Sequence, residues 1–349
     1  MDGSEVMKDN VLDTHVQARA VLPGGHGPPC GFSGSIRHNA AVSVFSAAAF
    51  RPGRCMAVAV LLVLVTVTAA CGGGSPVGTA PAPASTTTPV TRQTAPASST
   101  SPAGPGHVVV VIFENKAYGQ VAGSADAPYL NGLLSRSAVF SNAHGVAHPS
   151  QPNYLALFSG STQGVTDDHC PVTVTGKPNL AQQLIAAGDT FTGYAEDLPS
   201  AGYRGCSQGR YAAKHNPWAD FDNVPAGAGQ PYSAWPGDLA KLPTVAFVVP
   251  NMCNDMHDCP IGTGDGWART HLEPYLRWAD THDSLLVVTF DENDGSAGNQ
   301  ILTVVAGAGV SPGVRTESVN HYSVLRMIED RYGLPAIGAA ASAAPLHLT

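Results

Sequence analysis

Two apolar runs in this chain each end in a pair of oxygen-bearing side chains. His107–Phe113 is followed by Glu114 and Asn115, and Ser284–Phe290 by Asp291 and Glu292. Delivered to one place, these four groups are the ligands a hard divalent cation accepts. Oxygen donors of this kind favour calcium, magnesium or manganese, and one such ion is expected. Burying the carboxylates together without a cation would be costly for each charge.

A second stretch, Ala147–Leu155, sets His148 and Ser150 just before Pro152 and an apolar helical run. Pro152 suits a first helical turn, which puts the Ser150 hydroxyl at a helix amino terminus. Free N–H groups and the helix dipole there favour an incoming phosphate and a developing alkoxide. Ser-x-Pro is commonly only a cap, but the neighbouring His148 and the acidic pairs elsewhere favour a nucleophile. A third stretch, Pro250–Cys259, concentrates His257 and Asp258 in a loop after another apolar run. It reads as a source of a metal ligand or general acid, or more plainly as a good turn. Asn320–Ser323 opens the last helix with His321, placed to contact a phosphate oxygen or protonate a leaving group. Lys214 and His215 add a further cation and imidazole, and with Lys116 and Asp258 complete the candidate phosphate contacts.

Something must hold these groups together. Continuous Val/Ile/Leu runs suit strands buried on both faces of a parallel sheet, whose chemistry lies at the strands' carboxyl ends. The pattern predicts strands over 107–113, 190–195, 244–250, 284–290 and 301–306. Helices are predicted over 126–136, 152–159, 178–187, 265–281 and 321–332. That alternation implies an α/β domain over 107–349, three layers deep, with a mostly parallel central sheet between helices.

The rest of the chain reads differently. Met56–Ala70 is an uninterrupted apolar run preceded by Arg51 and Arg54, short for a membrane span and suited to the core of an export signal. Thr68-Ala69-Ala70-Cys71 resembles a bacterial lipobox, which makes Cys71 the expected lipidation site and 56–71 the signal. Release after simple cleavage and an uncleaved anchor are the alternatives. Residues 1–55 carry no clear periodicity and are expected to be disordered or to precede the true start. Residues 72–106 are mainly Pro, Thr, Ser, Ala and Gly with Arg92 as their one charge, the composition of an unfolded tether. The expected product is an exported, membrane-anchored or secreted monomer. A net charge of −8 and the lack of a basic stripe argue against a nucleic-acid partner.

Seven cysteines divide into three before the domain and four within it. An even number in an oxidising compartment implies disulfides, with Cys170 pairing Cys206 and Cys253 pairing Cys259. Zinc is the rival reading, but the spacing lacks the tight double CxxC pattern.

Six ordered motifs, VVVIFENKAY, HPSQPNYLALFSG, GYAEDLP, NDMHD, SLLVVTFDENDGS and NHYSVLRMIE, together resemble a bacterial phosphoesterase family. That family unites acid phosphatases with non-haemolytic phospholipases C, within the alkaline-phosphatase-like superfamily. The resemblance spans 107–335 and is nearest to secreted acid phosphatases of mycobacteria and other actinobacteria. It implies that Glu114, Asn115, Asp291 and Glu292 bind the metal, that Ser150 is the nucleophile, and that His257 and His321 belong to the active site. The phospholipase branch typically follows its Asp-Glu pair with His-Gly-Gly, whereas this chain has Asn293-Asp294-Gly295, which favours the phosphatase branch. Lys116 stands where the wider family often has Arg. Cys253 and Cys259 lie outside the family pattern and look like a local addition.

The expected activity is hydrolysis of phosphate monoesters through a phosphoserine, on a small phosphorylated substrate. Cleavage of phospholipid diesters is the second reading, and a non-catalytic surface lipoprotein the third.

Overall fold

The computed structural model describes residues 106–349. The expectations for an export signal, for lipidation at Cys71 and for a tether therefore lie outside the described residues.

Among the described residues eleven strands form, in chain order. They are β1 (Val108–Phe113), β2 (Ala138–His144), β3 (Phe191–Ala195), β4 (Ser207–Gln208), β5 (Tyr211–Ala212) and β6 (Gly229–Pro231). β7 (Val245–Val249), β8 (Leu285–Phe290), β9 (Gln300–Gly307), β10 (Gly313–Arg315) and β11 (Val319–Asn320) complete them. The helices are α1 (Tyr118–Val121), α2 (Pro128–Leu134), α3 (Ser150–Ser159), α4 (Leu180–Ala187), α5 (Ile261–Ala279) and α6 (His321–Arg331).

Nine strands make one sheet in the order β10-β2-β9-β8-β1-β7-β3-β6, with β11 also on β2. β1, β7 and β8 are buried at every residue, as their unbroken apolar sequences require of strands covered on both faces. α2 packs on α5 and α3 on α6. β4 and β5 form a small separate hairpin. No helix among the described residues is long and apolar enough to cross a membrane.

The expected α/β architecture is observed, with one refinement. β9 runs antiparallel to both β8 and β2. Only residues 291–299 separate β8 from β9, and a parallel return needs a crossover of about a dozen residues or more. β2 was not anticipated at all. Its sequence, AVFSNAH, turns polar after three residues and is only partly covered towards its end, so periodicity does not announce it.

α5 begins four residues earlier than its apolar pattern indicates, because Gly262, Gly264 and Gly266 dilute the first turns. Gly264 has a packing reason. A Cβ there would collide with the Met256 side chain and the Asn254 carbonyl. The loop after β7 is thereby allowed to lie directly on α5.

Candidate active site

β1 and β8 pair in parallel with Phe113 opposite Phe290, and the Asp291 N–H donates to the Phe113 carbonyl (3.0 Å). The residues that follow, Glu114 and Asp291, therefore leave the sheet side by side. Asn115 adopts φ 54°, a left-handed turn that Asn tolerates better than most side chains. The turn aims its N–H at Asp291 Oδ1 (3.1 Å). The Glu114 N–H donates to the Asp255 carbonyl (2.8 Å), which ties the end of β1 to the loop after β7.

Ser150 is the first residue of α3 and is buried. Its hydroxyl donates to Glu114 Oε2 (3.0 Å) and lies 3.3 Å from Glu292 Oε1. The Tyr154 hydroxyl, one helical turn on, donates to the other oxygen of the same carboxylate, Glu114 Oε1. His215 stacks on the Tyr154 ring at 5.1 Å. Its Nε2 is 3.1 Å from Glu114 Oε1, and its Nδ1 is 3.5 Å from Asp255 Oδ2.

Four carboxyl groups, Glu114, Asp255, Asp291 and Glu292, thus share a buried region. Burial, then Asp291 and Asp255, push Glu114 well above the usual carboxylate range. Burial, then the charge of Glu292, raises Asp291 to about 7. Glu292 is raised to about 7 by burial, against the hydrogen bond from Ser150. Asp255 is raised to about 8, chiefly by burial. Such a cluster holds protons unless a cation replaces them.

Residues 124–335 match the model of the phosphoesterase family. The chain belongs to that family. It is 50% identical over 242 residues to the phosphatidylinositol-3-phosphatase of Mycobacterium tuberculosis, covering 69% of this chain and 81% of that enzyme. It is 31% identical over 249 residues to an acid phosphatase of Aspergillus fumigatus, covering 65% of this chain and 55% of the fungal protein. The chain thus spans little more than half the length of that fungal relative. A Vibrio parahaemolyticus structure of the alkaline phosphatase superfamily superposes with a TM-score of 0.50 at 12% identity, over 70% of this chain and 71% of the other. That likeness shows the fold alone. The chain is accordingly a phosphoric ester hydrolase.

In this phosphoesterase the other candidate residues fall into distinct environments. His148 sets Nδ1 against Glu292 Oε2 while 44% of its side chain is exposed. Asn153 holds the preceding loop by accepting from Val146 N and Ala147 N (2.8 and 3.0 Å). His257 is 27% exposed and is held by Asp258 Oδ1 at 2.8 Å, with its ring 6.1 Å from His215. Asp258 is exposed and acts on His257; as an anion it is a poor phosphate contact. His321 is buried at the start of α6, below the Asn320 cap, and its Nε2 donates to the Asp291 carbonyl (2.6 Å). Burial lowers His321 to about 4, so it is neutral and fixes Asp291 without a proton to give.

Lys116 spends its ammonium on the Met256 and Asn115 carbonyls (2.8 and 3.2 Å) and is half-buried, which lowers it. It braces two loops where a phosphate contact was expected. Lys214 is better placed. Burial pulls it down, but Asp168, Glu114 and Asp291 outweigh that and raise it. Asp168 Oδ2 takes the Lys214 ammonium (3.0 Å) and Oδ1 takes the Gln151 N–H (2.9 Å).

Tyr154, Asp168 and Asp255 were not foreseen as site residues. Tyr154 had a signal, since i and i+4 share one helix face with Ser150. Asp255 lay inside a singled-out motif. Asp168 sits in a loop with no pattern to reveal it.

Both expected disulfides are present. Cys170 and Cys206 are 36 residues apart with Cα atoms 5.6 Å apart, and Cys253 and Cys259 are 6 residues apart with Cα atoms 4.7 Å apart. Loop-closure entropy assigns about 4 kcal/mol to the longer bridge and about 2 kcal/mol to the shorter. Replacing Cys170 and Cys206 with Ser is therefore expected to cost more stability in a denaturant titration. Replacing Cys253 and Cys259 is expected to cost more activity, because that loop carries the Asp255 carbonyl that anchors Glu114.

Proposed function

We propose that this phosphoesterase hydrolyses phosphate monoesters, with Ser150 as nucleophile and one divalent cation held by Glu114, Asn115, Asp291 and Glu292. One observation carries the reading. The Ser150 hydroxyl lies at a helix amino terminus between Glu114 Oε2 and Glu292 Oε1. Nucleophile, proton acceptors and dipole then coincide.

The donor set fits a hard cation. Every candidate ligand atom is oxygen, and Asp291 Oδ2 is buried without a hydrogen bond. Among the described residues no three His, Cys, Asp or Glu side chains close around one point. The Asn115 amide oxygen and Ser150 hydroxyl would have to complete the shell. A bound cation would neutralise phosphoryl oxygens and favour the Ser150 alkoxide.

Ser150 Oγ attacks phosphorus in line, and its proton passes to the carboxylate already accepting it. The bond from phosphorus to the leaving alkoxide breaks as the Oγ–P bond forms, giving phosphoserine. The departing alkoxide needs a proton, and His148 and His257 are the site imidazoles that reach water. Water then attacks phosphoserine, releasing inorganic phosphate and restoring Ser150. Lys214 meets the incoming phosphate. Lys214→Met is expected to raise KM about tenfold or more, the worth of one charged hydrogen bond, with a smaller effect on kcat, read from initial rates.

The named activity of the mycobacterial relative supports a phosphoinositide monoester as substrate, and the exported, surface-held location belongs to the same proposal. A choline-type diester finds less support. Trp218 and Trp267 are buried in the core, and Trp278 is stacked between His107 and His282 beside the start of β1.

The purified protein should release phosphate from p-nitrophenyl phosphate and from short-chain phosphatidylinositol 3-phosphate, and should leave p-nitrophenyl phosphorylcholine intact. Cleavage of the choline diester alone would overturn the monoesterase reading. Silence on all three from folded protein would overturn catalysis.

A further inference from the structure

Glu114 carries two oxygens, and α3 addresses both. Ser150 donates to Oε2 at 3.0 Å, and Tyr154 donates to Oε1. Positions i and i+4 lie one above the other on a helix face, so a single rigid element delivers both donors. Tyr154 is buried, and among the described residues its hydroxyl makes one hydrogen bond, to Glu114 Oε1. On its other side the ring stacks with His215 at 17° between planes, and His215 Nε2 approaches the same Oε1 at 3.1 Å.

We propose that Tyr154 is a positioning residue: by holding Glu114 Oε1, with His215 stacked behind it, it keeps Oε2 turned towards Ser150 and the cation. The inference rests on the proposed function for what Glu114 does, and adds a residue that neither motif nor family match assigns. Without the phenol the carboxylate can rotate about its last bond. The Ser150 proton would then lose its fixed acceptor, and the cation one oriented ligand. Partners standing behind metal ligands commonly contribute about 10- to 100-fold to affinity or rate.

The test is Tyr154→Phe, which removes one oxygen and preserves the ring and its stack. With p-nitrophenyl phosphate, kcat should fall about 10- to 100-fold with KM changed less than about twofold. Without substrate, the concentration of divalent cation needed to raise the melting temperature should increase by a similar factor. Unchanged kcat and unchanged cation midpoint would overturn the proposal. So would a loss of kcat matched by fewer active molecules at an unchanged midpoint, which is what a purely structural role gives. If the wild-type protein turned over with no response to any cation, the cation of the proposed function would fall, and the kcat loss in Y154F would decide Tyr154 by itself. If it bound cations but released no phosphate, the midpoint alone would decide.

Discussion

Ser150→Ala is expected to abolish phosphate release while the protein stays folded. The loss should be about 10⁴-fold or more in kcat, equivalent to more than about 5 kcal/mol of transition-state stabilisation. Nothing nearby can take over. The groups around Ser150 Oγ are the carboxylates of Glu114 and Glu292, both committed to accepting its hydrogen. Stability should change little by comparison. Ser150 is the first residue of α3, not its cap, since Pro149 holds that position without a side-chain bond. The lost hydrogen bond to a charged acceptor costs about 2 kcal/mol, which a domain of this size survives. Initial rates beside a thermal melt separate the two effects. A folded S150A protein with near wild-type turnover would remove Ser150 from the mechanism.

Removing divalent cations should have the next largest effect. Activity should vanish on chelation and return with one of calcium, magnesium or manganese. Stability should change in a pH-dependent way. Asp255 at about 8, and Asp291 and Glu292 at about 7, all lie above ordinary carboxylates, with burial as the leading cause. In the cation-stripped fold these groups hold protons that the unfolded chain has released. Their contribution is therefore intact below about pH 4 and lost as pH rises through 7 to 8. Stripped protein should melt lower at pH 8 than at pH 5, by on the order of 10 °C. A bound cation takes the place of those protons, so the melting temperature it restores should grow with pH. Melting curves across pH, with and without chelator, check this. Full activity after exhaustive chelation, or one slope under both conditions, would sink the cation.

Much of this was legible in the chain because the central strands are buried on both faces and therefore uniformly apolar. β1, β7 and β8 announce themselves, and the residues that end them follow at once. What adjacency between strands decides was less visible. Nothing local says that β8 lies beside β1, yet that pairing is what brings Asp291 next to Glu114. The antiparallel direction of β9, whose strand was expected, and the half-polar β2 escaped for a related reason, since they depend on a short connection and on partners far along the chain. At the site, groups on strand ends and most of those inside the singled-out motifs were foreseen, whereas Asp168, in a loop with no pattern, was not. Asp168 meets Lys214 across 46 residues. Lys116 is basic and near the acids, but two carbonyls had a prior claim on its ammonium. A side chain's type gives its capacity, and its neighbours decide how that capacity is used.

Both disulfides lie in loops, whereas Glu114, Ser150, Tyr154 and Asp291 ride on strand ends and one helix. The reacting atoms are therefore carried by regular structure, and the bridges tie the loops around them. The loop closed by Cys253 and Cys259 is the exception, because its Asp255 carbonyl holds Glu114 and so its length is fixed by the group it supports. For anyone wishing to redirect such an enzyme to a new phosphate ester, the exposed turn at 207–210, four residues before Lys214, is the place to begin, and α3 is the place to leave alone.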